Sequence, residues 1–279
     1  MKLGRLLIGL IVLTWCCGVF ARPFDDVIKS GKLVVFVYED YAPYSWYDGD
    51  ELRGVDVEIG RAFGEGLGVE VEFLVRGADE NVDDDLRVNI WKGDLIHRKA
   101  ADVMLHVPVD KEVNIRNELA VITAPYFLEQ MGVVVNKTAL PELNTFAKFV
   151  YKPIAVEVDT AGDFFLSNAF RGQLHNSIRR GRTFKDAVEV FENGEADGLM
   201  GSRAQTEWVA SRNANKTAVH QPPMPGIVRN SWPIGIAVKH DSRDLGYALG
   251  DIITELITSG RLKDITTTYG VTYIPPENL

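Results

Sequence analysis

Leu33-Val34-Val35-Phe36-Val37 is followed, after a polar loop, by apolar residues at helical spacing and then by Val69-Glu70-Val71-Glu72-Phe73. No other feature limits the chain so strongly. A run of β-branched and aromatic residues reads as a strand buried on both faces. Val55, Ile59, Ala62, Phe63 and Leu67 recur with the period of one helix face. Val69 to Phe73 alternates with period two, as a half-buried strand does. Strand, helix, strand requires a crossover, and a crossover of that length pairs its two strands in parallel. The expected class is therefore α/β, with parallel or mixed sheets flanked by helices.

The alternation continues along the chain. Val103-Met104-Leu105, Val121-Ile122-Thr123, Gly132 to Val135, Ile154-Ala155-Val156, Leu199-Met200 and Ile234 to Val238 read as short strands. Asp83-Asp84-Asp85 suits the positive end of a helix dipole, as a solvated helix entry with Leu86, Ile90 and Trp91 turned inward. Thr160-Ala161-Gly162 opens a helix carrying Phe164, Phe165 and Leu166. Thr183, with Asp186 three residues on, forms a variant capping box before the stripe Phe184, Ala187, Val188 and Phe191. A further helix runs through Trp208. The stretch 213–229 is polar and carries Pro222, Pro223 and Pro225. Leu245, Leu249, Ile252, Ile253 and Leu256 make the best amphipathic helix, and Gly260 stands where a left-handed cap wants glycine.

The amino terminus has its own grammar. Lys2 and Arg5 precede the apolar run Leu6 to Trp15, and small residues lead to Val19-Phe20-Ala21. That is the layout of a cleaved secretory signal, residues 1–21, and the run is short for a membrane span. Both cysteines, Cys16 and Cys17, fall inside it, so an exported chain has no disulfide or thiolate chemistry. Without Lys2 and Arg5 the 30 basic residues become 28 against 39 acidic ones, a net charge of −11. Nucleic acid and anionic membrane surfaces are poor partners for such a chain, and no membrane insertion is expected of it. No His/Asp/Glu set has metal-ligand spacing, and neither a metal nor another cofactor is expected.

The order of motifs resembles the family-3, polar-amino-acid type, extracellular solute-binding proteins of bacterial ABC importers. One stretch runs from Gly31-Lys32-Leu33 through Ala42-Pro43-Tyr44-Ser45 to Gly54-Val55-Asp56-Val57-Glu58-Ile59. A second is Ala101-Asp102-Val103-Met104 with Pro125-Tyr126-Phe127. A third is Gly194-Glu195-Ala196-Asp197-Gly198, followed by Gly260-Arg261-Leu262 and Tyr269-Gly270. The resemblance implies a two-lobed periplasmic binding protein of type II with two hinge crossings. Lobe 1 would be residues 22–129 plus 229–279, and lobe 2 residues 130–228. It also implies a periplasmic monomer, without catalytic chemistry, that delivers a small ligand to a membrane permease.

The family's amino acid clamp does not carry over intact. The loop after the Ala-Asp strand, Leu105 to Val113, lacks the usual hydroxyls, and the first arginine is Arg116, about two positions late. The position of the acid that holds an α-amino group is Ser202, followed by Arg203. An ammonium without a buried carboxylate would stay unpaired, so ordinary α-amino acids are expected to bind weakly. His106-Val107-Pro108 also resembles a stretch of the binding-protein-like subunits associated with quinoprotein alcohol dehydrogenases. An enzyme of the cyclohexadienyl dehydratase kind is the third alternative, with Glu157 or Asp159 as its acid.

The ligand-binding candidates follow from position. Tyr38, Asp40, Tyr41, Tyr44 and Trp46 occupy the loop where the family stacks an aromatic on its ligand. His106 follows a strand at the expected cleft mouth. Thr160 and Ala161 open a helix whose free N–H groups suit an anion. Arg203, with Arg116, is the cation expected to meet a carboxylate or phosphate, and Ser202 stands beside it.

Overall fold

A computed structural model describes residues 23–276 apart from Leu95, His97 and Val228. The signal segment expected over residues 1–21 lies outside the described residues. The first element, α1 (Phe24–Ser30), feeds β1 (Lys32–Tyr38), whose central residues are all buried. A small hairpin of β2 (Trp46–Asp48) and β3 (Glu51–Arg53) leads to α2 (Val55–Leu67) and β4 (Glu70–Arg76). β1 and β4 pair in parallel, as the crossover reading requires. Val55, Ile59, Ala62 and Phe63 are the buried face of α2, and Gly68, at φ 67°, ends it.

Next come α3 (Val82–Leu86), β5 (Val103–Pro108), α4 (Lys111–Arg116) and β6 (Ala120–Asn136). Beyond β6 the chain forms β7 (Ile154–Glu157), α5 (Ala161–Asn168), β8 (Ile178–Gly181) and α6 (Phe184–Glu192). β9 (Gly198–Ser202), α7 (Arg203–Ser211) and β10 (Thr217–His220) follow. The chain returns along β11 (Ser231–Lys239) and closes with α8 (Arg243–Thr258) and α9 (Arg261–Thr268).

Among the described residues these strands form one mixed sheet in the order β4-β1-β5-β11-β6-β9-β7-β8, with β10 also on β6. The long β6 belongs to both halves. Residues from Ala120 to Gln130 pair with β11, and from Met131 onward the partners are β9 and β10. The sequence reads this stretch as two separate strands, Val121-Ile122-Thr123 and Gly132 to Val135. Pro125, between them, sits in an irregularity, beside Ala124 at φ 48°, where the register with β11 shifts. A residue without an N–H is harmless at a bulge.

Two apolar clusters cover the two faces of the first half of the sheet, built around Phe63, Phe127 and Leu249, and around Phe36, Leu86 and Met104. Two more cover the second half, around Phe146 and Leu166, and around Phe184 and Leu199. The acidic triplet departs from its solvated reading. Asn81 caps α3, Asp83 holds Arg116 and Asn117, and Asp85 is buried.

Candidate functional site

Parallel strands present their carboxyl ends to a common edge, and ligands of open α/β sheets bind outside that edge. β1 ends at Tyr38, β5 at Pro108 and β7 at Glu157, and all three residues line one cleft of about 550 Å³. One wall carries Tyr38, Asp40, Tyr41, Asp85, His106 and Trp232. The opposite wall carries Glu157, Arg182, Thr183 and Phe184.

The first wall is built from the loop after β1. Tyr41 and Ser45 exchange backbone hydrogen bonds, which fold the loop back on itself. Tyr38 and Tyr41 meet edge to face at 5.5 Å, and Tyr38 Oη donates 2.8 Å to Asp85. Tyr41 Oη lies 3.2 Å from His106 Nε2. His106 holds a left-handed backbone, φ 61°, and only 8 % of it is exposed. Its Nδ1 is 3.3 Å from the buried Asp56 carboxylate, which also accepts a 2.7 Å bond from Tyr126 Oη. The imidazole thus lies between a hydroxyl on the cleft side and a carboxylate at the first turn of α2, although its Nδ1 makes no hydrogen bond.

Beneath this layer lies Glu129, at the point where β6 changes partners. It is 1 % exposed and accepts from Tyr44 Oη, Gln130 N and Ala204 N. Burial pushes its carboxyl above the usual range, and the Tyr44 hydrogen bond pulls it back in part. Burial also raises Tyr41, with Glu129, Glu157 and Asp56 adding to the effect. Across the cleft Glu157 is pushed up to about 7 by desolvation, against a hydrogen bond from the Phe184 backbone. Asp85 is raised as well, by burial first.

The structure brings together Tyr38, Asp40, Tyr41 and His106, and leaves the other candidates elsewhere. Tyr44 is turned into the core, 1 % exposed, toward Glu129. Trp46 meets Trp208 at 5.6 Å and Tyr269 at 5.4 Å, beside a smaller hollow of about 240 Å³. Arg116 is exposed on α4 and paired with Asp83, so it cannot serve the cleft. Thr160 caps α5 by accepting from Asp163 N, and the Asp163 carboxylate accepts from Asp159 N. The chain's own oxygens fill the helix entry at Thr160 and Ala161 that was expected to take an anion. Ser202 closes a capping box with Gln205. Arg203 is 4 % exposed and faces away from the cleft, paired with Glu207 and donating 2.7 Å to Thr272 O. Its charge is committed before any ligand arrives.

Asp85, Arg182, Phe184 and Trp232 line the cleft without having been singled out. Phe184 reads as core from its stripe, because a cleft wall and a core face share one periodicity. Glu157 had a usable signal, an acid closing a buried strand.

No protein-family model and no curated protein sequence matches the chain. Solved structures do. An ancestral cationic amino acid solute-binding protein aligns with a TM-score of 0.69 at 19% identity, covering 88% of this chain and 98% of that one. An amino acid ABC transporter substrate-binding protein from Streptococcus pneumoniae, bound to L-arginine, aligns at 0.66 and 20% identity, covering 90% and 98%. A histidine kinase sensor domain with similarity to periplasmic binding proteins aligns at 0.61 and 19%, covering 87% and 98%. The chain has the two-lobed fold of these periplasmic binding proteins.

Proposed function

We propose that this chain is an exported solute-binding protein whose two lobes close on a small polar ligand, which it hands to the permease of an ABC importer. One observation carries the reading: the cleft draws its walls from both halves of a sheet joined through β6 and β11. A ligand touching both walls stabilises the closed form by the contacts made only there. The division near residues 129 and 229 and export through residues 1–21 belong to this proposal.

An anionic ligand follows from the sequence only if Arg203 is its partner. With Arg203 held by Glu207 and Thr272, that argument falls. The enzymatic alternative has Glu157 or Asp159 as its acid, but a carboxylate-bearing substrate would enter a cleft that already holds Asp40, Asp85 and Glu157. Binding without turnover is the better reading.

The test is native mass spectrometry of protein purified from its own compartment, with small-angle scattering before and after the co-purified molecule is removed. A bound small molecule and a smaller radius of gyration in its presence are expected. A ligand-free protein whose dimensions no small molecule of its compartment changes would rule the proposal out.

A further inference from the structure

The cleft is short of positive charge. Asp40, Asp85 and Glu157 line it, with Glu39 at its edge. Asp56 and Glu129 lie directly beneath, each 1 % exposed. Set against these carboxylates are Arg182, whose side chain is 94% exposed and lies 3.6 Å from Asp186, and the His106 imidazole. Arg203, buried behind the cleft wall, is paired with Glu207. A carboxylate ligand would add like charge to this hollow, whereas a cation favours the ionised form of the carboxyls that burial holds back, so the site attracts cations.

The walls point the same way. Tyr38, Tyr41, Phe184 and Trp232 supply aromatic surface around the same space. Aromatic faces attract ammonium and guanidinium groups, more strongly where water is excluded. An aromatic enclosure with carboxylates at its ends is therefore suited to an organic cation. Among the described residues the same geometry offers an α-carboxylate only Arg182, solvated at the rim beside Asp186, since Arg116 is on the outer surface and Arg203 is held by Glu207 and Thr272.

On the reading of the chain as a solute-binding protein, we infer that its ligand is an organic cation without a carboxylate, an amine or guanidine. One cationic end would sit near Glu157 and Tyr41, with the apolar stem against Phe184 and Trp232. A similarly folded protein binds L-arginine; here the cationic end is provided for and the carboxylate end is not.

The experiment titrates the purified chain with agmatine, 1,4-diaminobutane, L-arginine and succinate, following melting temperature and calorimetric affinity. Agmatine differs from L-arginine only by the missing carboxylate, which isolates that group. We expect agmatine or the diamine to bind at least about tenfold more tightly than L-arginine, and succinate to give no shift. Glu157→Gln keeps an acceptor for the Phe184 N–H and should weaken the amine by about tenfold or more, with an unchanged melt in its absence at low pH. Equal affinity for agmatine and L-arginine overturns the inference, as does failure of both amines to bind. Binding and compaction with succinate alone would overturn it too, while leaving the solute-binding reading intact.

Discussion

Glu157 ends β7 with a carboxyl that desolvation holds at about 7. A carboxyl raised in the folded state binds its proton more tightly there than in the unfolded chain. Its contribution to stability is full below the unfolded value of 4.5 and is lost as pH rises toward about 7, after which it stays flat. Glu157→Gln removes that loss. Urea unfolding should find the variant equal to the parent near about pH 4 and more stable by up to about 3 kcal/mol near about pH 8. A constant difference across that range would show that the side chain is better hydrated than its place suggests. Tyr44 gives a second test. Its hydroxyl donates to Glu129, so Tyr44→Phe leaves a buried carboxylate one donor short and should cost about 1–3 kcal/mol in the same experiment. Equal stability would mean that Gln130 N and Ala204 N satisfy Glu129 between them.

At the scale of elements, the start of α2 depends on one glycine. Gly54 has φ 134°, and a Cβ there would lie 2.0 Å from the Tyr44 carbonyl oxygen. The contact is with backbone, so no side chain can step aside. Gly54→Ala should destabilise by more than about 3 kcal/mol, and would also displace Asp56, which stands behind His106. A variant that melts like the parent would show that the 40–54 loop can re-form. The same helix shows what was legible in advance. Its stripe of Val55, Ile59, Ala62 and Phe63 declares its buried face, as do the stripes of α6 and α8. β6 was not legible as one strand, because pairing across a bulge at Ala124 and Pro125 depends on β11, far away in sequence. Within the site, strand ends placed Tyr38, Tyr41 and His106, since the position of a residue along a strand follows from pattern. The direction of a long side chain does not. Arg203 and Tyr44 both stand near the cleft in sequence terms, and both turn inward to partners the local pattern cannot name.

In the whole molecule, on the division proposed near residues 129 and 229, the segment after α9 would be a third tie between the lobes besides the two strands. The segment after α9 runs along α7: Arg203 donates 2.7 Å to Thr272 O, and the Glu207 carboxylate accepts 2.7 Å from Thr272 N. The same segment reaches β6, where Leu128 N donates 2.9 Å to Ile274 O and Tyr273 Oη donates 3.1 Å to the Tyr126 carbonyl. Trp46 packs on Trp208 of α7 and on Tyr269 at the end of α9, at the same junction. A tie of this kind would limit how far the lobes swing apart, and the prediction is that it sets the resting opening of the cleft. Arg203→Met keeps most of the buried stem but removes the guanidinium and its contact with the Phe127 ring, leaving Glu207 with Thr272 N alone and the Thr272 carbonyl without its donor. Breaking a buried pair by removing one charge costs about 3–5 kcal/mol, and the figure should fall toward the lower end because Glu207 is 17% exposed. Small-angle scattering of the ligand-free variant should give a larger radius of gyration than the parent. Affinity for a cleft ligand should fall only as far as the wider resting state lowers the closed population, because Arg203 itself does not line the cleft. A large loss of affinity at unchanged dimensions would instead place Arg203 in contact with the ligand, and the tie would have to be given up as its role.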